Sequence, residues 1–329
     1  MYNIKYSTQP IVNKRKEARI EKVLSIDTHS NVICSLYQLS NGEICTGSWN
    51  NKINVYKYPS LELIETLTPS HDNWVKCFLE VQKEKIHYLL SGSRDKTVKV
   101  WDISQHPYTE KTTLNYHQGT IFSLIIIKDN IISCSFDSSI CIINLYSFEL
   151  LYKLTIHQDK PVMKIININT NFFCSCSDYA IIVSEYPNKE ICKVSDNITG
   201  CIDLYYKRKC LYSLNMNCML NIWEFIDNKY LQCIQTIIID KRYNKFILPQ
   251  CFSFIYNKKQ IEYIFICCNQ KEILCYNIGS YLQNKTQTLK QDNCILSKLI
   301  QLSEQKEKTI SIISASSSSI LTLWKISDV

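Results

Sequence analysis

Glycine is scarce in this chain, with six among 329 residues, at positions 42, 47, 92, 119, 200 and 279. Glycines so placed spell neither a phosphate-cradling Gly-x-x-x-x-Gly-Lys loop nor a Gly-x-Gly-x-x-Gly dinucleotide turn. Gly-x-Ser-x-Gly and His-Glu-x-x-His are absent too, which removes the commonest hydrolase and zinc-protease signatures. No two of the 17 cysteines are spaced as Cys-x-x-Cys, so no zinc-ribbon or redox motif is present, and no metal or cofactor is expected. No run of about twenty apolar residues could span a membrane as a helix. Residues 1–22 lack an apolar core and are crossed by Lys14, Arg15, Lys16 and Arg19, so a signal peptide is not expected there. Long stretches of helical period are missing; the one candidate, Lys14 to Lys22, reads equally well as an exposed arm.

Hydrophobic residues make up 46% of the chain and charged residues 20%, a balance that buries a large core. The formal net charge of +7 comes partly from short clusters such as Lys14-Arg15-Lys16 and Lys207-Arg208-Lys209, which read as solvated loops. Most cysteines, among them Cys34, Cys45, Cys77, Cys134, Cys141, Cys174, Cys176 and Cys275, lie in apolar runs where a thiol acts as a small hydrophobe. Reduced thiols in that number imply a cytoplasmic, or nuclear, protein.

The apolar runs are four to eight residues long, rich in Ile, Val, Leu, Tyr, Phe and Cys, and broken by Asn, Asp, Ser and Lys, which predicts strands. They recur. His29, His71, His117 and His157 stand 42, 46 and 40 residues apart. With Trp101 as the anchor of a third strand, the matching positions are Tyr56, Ile143, Ser184, Trp223, Tyr276 and Trp324. A common frame precedes each anchor: Thr46 to Asn50, Ser91 to Asp95, Ser133 to Asp137, Cys174 to Asp178, Ser213 to Asn217, Ile266 to Gln270 and Ser314 to Ser318. A period of roughly 40 to 45 residues with four strands per unit is the pattern of propeller blades. The expected fold is therefore all-β: a single seven-bladed β-propeller of four-stranded antiparallel blades over residues 21–329, preceded by an arm at 1–20. With so little glycine, Asn50, Asp178 and Asn217 are expected to take left-handed turn positions.

His71, the Ser91 to Asp95 segment and Trp101-Asp102 resemble the WD-repeat family, and the resemblance extends from about Glu21 to Ile326. It implies a structural tetrad in the second blade, His71, Ser91, Asp95 and Trp101, in which Asp and Ser orient a His that reaches the indole N–H. It also implies that Glu21 to Ile26 closes the ring by pairing with the blade that ends at Trp324. The set decays along the chain: Cys174 falls at the Ser position of blade four, and blades five to seven lack the His.

In that family partners bind the face carrying the turns between second and third strands. Reading the residue before each Asp position gives Trp49, Arg94, Phe136, Ser177, Met216, Asn269 and Ser317; early first-strand positions give Ile33, Lys76, Phe122 and Met163. The partner-binding set is then Trp49, Trp74, Lys76, Arg94, Phe122 and Phe136, a concentration of residue types enriched in interfaces. His87 and His106 fall outside the frame and have no matched Cys or carboxylate partner nearby, so they read as structural and not as metal ligands. The first strands read as an almost wholly apolar channel lining, which argues against catalysis. The expected function is a non-catalytic scaffold binding a peptide or partner protein in a multiprotein complex, with nucleic acid disfavoured. The alternatives are a nucleic-acid- or ribonucleoprotein-associated propeller, or a substrate-recognition subunit of a ubiquitin ligase complex. Arg94 and Lys76 offer too few neighbouring arginines for a phosphate clamp between blades.

Overall fold

Strands Val75–Lys83, Ile86–Ser93, Val98–Asp102 and Thr109–Leu114 pair antiparallel in chain order and make one blade. Its middle strands are apolar on both faces because a neighbouring sheet packs on each side. Ile86–Ser93 ends in five consecutive buried residues, and Val98, Lys99, Val100 and Trp101 are all buried. The outermost strand lies at the rim, and Thr109–Leu114 alternates between exposed and half-buried positions over its first four residues before ending in the buried Leu114. The same plan organises the whole chain. This computed structural model describes residues 19–28, 31–195, 200–207, 209–216, 219–238, 251–256, 262–268, 272–277, 285–290, 296–302 and 310–327. Their strands form seven four-stranded sheets.

Six of the sheets use four consecutive strands; the seventh takes its outer strand from the far end of the sequence. Arg19–Asp27 pairs antiparallel with Ile320–Ser327, Lys22 opposite Trp324 and Asp27 opposite Ile320, with a bulge between Lys22 and Leu24. This is the closure anticipated for Glu21 to Ile26, two residues longer at its start. Joining the termini pairs a strand edge that would otherwise be free.

The core lies between sheets. Leu39, Cys45, Ile53 and Val55 of the first blade form one buried cluster with Val75, Leu89 and the fully buried Trp101 of the second. A second cluster joins Leu90 and Val100 to Ile121, Ile131 and Ile143 of the third blade. A third closes the ring, packing Ile33 and Tyr56 against Ile313, Leu321 and Leu323. Gly92 has a role in this packing, since a Cβ there would lie 2.6 Å from Cys77 Sγ and 2.7 Å from Ile121 Cγ2.

The turns work without glycine, though one residue later than the sequence suggests. Asn51, Lys96, Ser138 and Ser319 have φ of 72°, 77°, 67° and 65°, while Asn50 and Asp178 do not adopt a left-handed conformation and Asn217 lies outside the described residues. In the first three of these turns the side chain before the left-handed residue explains the shift, whereas Ile320 donates to Ser316 Oγ in the fourth. Asn50, Asp95 and Asp137 each accept the amide hydrogen two positions on, from Lys52, Thr97 and Ser139 at 3.1, 2.9 and 3.0 Å. These side-chain turns fix the bend and hold the intervening residue at positive φ.

Candidate partner-binding face

The tetrad assembles as a directed chain of hydrogen bonds, with serine and not histidine against the indole. Trp101 Nε1 donates to Ser91 Oγ at 2.9 Å, Ser91 lies 2.8 Å from His71 Nε2, and His71 Nδ1 lies 2.7 Å from Asp95 Oδ2. An indole can only donate and an ionised carboxylate can only accept. The two ends are therefore fixed: the Trp101 indole donates to Ser91 Oγ, and His71 Nδ1–H donates to the Asp95 carboxylate. Burial raises the Asp95 pKa, but the His71 hydrogen bond and charge and the Thr97 contacts outweigh it and hold the carboxyl well below its usual range.

Other blades keep parts of this chain. His117 reaches Ser133 at 2.8 Å and Asp137 at 3.1 Å, with Ile143 where the indole would be. In blade four His157 meets Ser175 at 2.8 Å, so Ser175 and not Cys174 fills the serine position. Its turn is one residue shorter: Ser177 donates to the Ala180 carbonyl, whereas Ser93 donates to Thr97. Burial drives the His157 pKa down to about 4. Trp223 and Trp324 donate to Ser213 and Ser314, each at 2.9 Å, so the indole–serine bond persists in blades five and seven. His29 lies outside the described residues.

The tetrad ties the loop before the first strand to the turn after the second. Asp95 also accepts the Asp72 amide hydrogen at 3.0 Å, Ser93 Oγ donates to the Asn73 carbonyl at 3.0 Å, and the Arg94 amide donates to the Trp74 carbonyl at 2.8 Å. Trp74 and Arg94 are thus brought side by side on a rigid rim. Trp49 stacks on Trp74 with ring centroids 4.0 Å apart and planes 4° from parallel, and the Arg94 guanidinium lies 4.3 Å from the Trp74 ring centre. Two groups at such distances cannot share one face of a ring, so Trp74 is sandwiched between Trp49 and Arg94. Each contact is worth about 0.5–1.5 kcal/mol, which orders the three side chains before any partner arrives. Lys76 lies 6.0 Å from Trp74, and Phe122 and Phe136 form a tilted pair at 6.3 Å.

Exposure sharpens the set. Trp49 is 39% exposed and Phe136 57%, and Arg94 is exposed. Met216 is also exposed at the matching turn of blade five, its amide tied to the Gly200 carbonyl as Arg94's is to Trp74's. Ser177 and Ile33, by contrast, are buried, and Asn269 lies outside the described residues. The short turn of blade four presents Tyr179 instead, 60% exposed, with Lys160 5.0 Å from its ring. The His157–Ser175 pairing was the signal that could have shifted that frame. Ile33 pairs with Ser48 as Val75 pairs with Ser93, which gives the bulge position equivalent to Lys76 to the buried Cys34.

Two further expectations are corrected by the folded structure. His87 lies 2.8 Å from Glu80, and His106 sits between Glu43 and Glu65 of the preceding blade. The channel is not wholly apolar, because Lys76, Lys164, Asp203 and Lys298 line a cavity among the first strands. Among the described residues no three His, Cys, Asp or Glu side chains gather as a metal site, and no helix is long and apolar enough to cross a membrane.

A ring of four-stranded antiparallel sheets, closed by its first strand and braced by this tetrad, defines a β-propeller of repeat type. A family model described as WD domain, G-beta repeat matches residues 62–102, the span holding Ser91, Arg94, Asp95 and Trp101. An uncharacterized WD repeat-containing protein of Schizosaccharomyces pombe is 42% identical over 64 residues, 20% of this chain and 16% of that protein. The ribosome biogenesis protein WDR12 homolog of Nematostella vectensis is 28% identical over 153 residues, 45% of this chain and 36% of its own. WD repeat-containing protein 37 of Mus musculus is 23% identical over 169 residues, 51% and 32% of the two chains. These matches span about a third or less of each relative's length. Over these residues the chain is similar to WD-repeat proteins, and its ring of four-stranded sheets is the fold that similarity implies.

Proposed function

We propose that this chain is a non-catalytic scaffold that binds a segment of a partner protein across the turns of its first blades, and that it works in the cytoplasm. The observation that carries the reading is the Trp49–Trp74–Arg94 stack beside exposed Phe136. Aromatic and arginine side chains already ordered on a rigid surface contribute affinity at low entropic cost, and they are the types that dominate interface energetics. Tyr179 and Met216 extend the apolar positions around the same rim. Affinity capture with wild-type protein and with a Trp49→Ala, Arg94→Glu, Phe136→Ala variant, checked for folding, is the test. Retention of every specific partner by the folded variant would sink the reading.

A second reading has its own support in the +7 net charge and in a relative named for ribosome biogenesis. Here the partner is a ribonucleoprotein particle. Binding through phosphate contacts weakens steeply as salt rises, whereas an aromatic-anchored protein contact does not, so a salt titration of the captured complex separates the two.

A further inference from the structure

The strands around the axis carry few charges, and those few do not balance. An axial cavity of about 350 Å³ is lined by four charged side chains, Lys76, Lys164, Lys298 and Asp203. Three of them occupy one structural position in different blades: Lys164 opposes Cys176, Asp203 opposes Leu214 and Lys298 opposes Ala315, in each case the residue just after the serine position of the neighbouring strand. Lys76 is the extra residue of the bulge between Val75 and Cys77, and bulges redirect side chains in this way. Three lysines from three sheets therefore line the same cavity.

Only one of them has a carboxylate: Lys164 Nζ lies 3.0 Å from Asp203 Oδ1. Among the described residues neither Lys76 nor Lys298 forms an ion pair. Three positive charges less one negative leave the lining at a net two positive. The remaining first strands cannot cancel this, since Ile33–Gln38, Ile121–Ile127 and Cys251–Tyr256 contain no Asp or Glu. Glu80, on the same strand as Lys76, is engaged by Ser40 and His87. Burial lowers the pKa of Lys76, and repulsion from Lys298 and Arg94 acts in the same direction. Uncompensated ammonium groups in a confined space are costly until an anion joins them.

We propose that the axial cavity is an anion site for a phosphate dianion, either free or as a small phosphomonoester, held by Lys76, Lys164 and Lys298. A phosphate group near pH 7 carries roughly −1.5 to −2, which matches the net charge of the lining. Its oxygens suit several ammonium donors at once, and the volume leaves room for waters of about 30 Å³ each. Asp203 holds Lys164 in place and limits the net charge.

Titration calorimetry of inorganic phosphate into the full chain, in a zwitterionic buffer at low ionic strength, tests the site. Saturable binding of one phosphate per chain is expected, with a rise in thermal midpoint beyond that given by chloride at equal ionic strength. Loss of one charge-assisted contact in Lys298→Gln or Lys76→Gln should weaken binding by about tenfold or more. Asp203→Asn should tighten it, a change of sign that a purely structural role would not give. Parallel titration with glycerol phosphate identifies the source, because binding of both ligands means the cavity admits an ester and binding of phosphate alone means a free anion. Heats no different from chloride, or Asp203→Asn binding more weakly, overturn the proposal. Trp49→Ala leaves the lining intact and should bind phosphate normally, so failure of the partner-face reading is distinguishable. If Asp203→Asn fails to fold, Lys298→Gln still decides the question.

Discussion

Ser91 hydrogen-bonds on two sides, to the Trp101 indole and to His71 Nε2. Among the described residues Ser213 Oγ accepts only the Trp223 indole. An unpaired buried group costs about 1–3 kcal/mol, so Ser91→Ala should destabilise about twice as much as Ser213→Ala in urea unfolding, although the two substitutions delete the same atoms. Equal losses would mean that the histidine adds nothing. The buried histidines also set a pH dependence. His157 is held neutral to about pH 4, and burial lowers the His117 pKa as well. Between the unfolded histidine pKa of about 6.5 and pH 4, the unfolded chain binds protons that the folded chain does not. Folding stability should therefore fall as pH drops through that window, and His157→Gln should flatten the slope measured by unfolding at stepped pH. The Asp95 and Asp137 carboxyls, whose pKa values are depressed, contribute stability that is complete above the ordinary carboxylate pKa of about 3.9 and is lost only as pH falls below it.

At the scale of the element, the outer strand Arg19–Asp27 has the most leverage, because it is the one strand contributed from the opposite end of the chain. Deleting residues 1–28 strips the partner from Ile320–Ser327 and leaves an open edge. A lower thermal midpoint and association by light scattering are expected, since an unpaired edge templates pairing with another chain. Contact between adjacent sheets can be tested at Gly92. Ala at this position drives a methyl into Cys77 and Ile121, and overpacking of this kind costs about 1–3 kcal/mol. An unchanged unfolding midpoint for Gly92→Ala would show that the blades can separate without penalty. The cysteines belong to this scale too. Cys45, Cys134, Cys174 and Cys176 are buried in or between blades, and burial raises their thiol pKa values, so they pack as small apolar groups.

At the scale of the whole molecule, the periods in the sequence determined the ring. Alternation of apolar and turn residues is a local property, and the His, Ser, Asp and Trp spacing repeats because each blade must satisfy its own buried polar groups. Trp49, Arg94, Phe136 and Met216 could be placed on one rim from that spacing together with the resemblance to WD-repeat proteins. Tyr179 could not, because the blade-four turn is a residue shorter and the frame there slips past the partner of His157. The orientation of Trp74 between Trp49 and Arg94 was likewise decided by packing between blades. So were the glutamates around His106 and the lysines gathered on the axis. Those groups are separated by tens of residues in sequence and belong to different sheets. Local pattern fixes each blade, whereas contacts between blades depend on how a closed ring brings the sheets together, and no single blade encodes that.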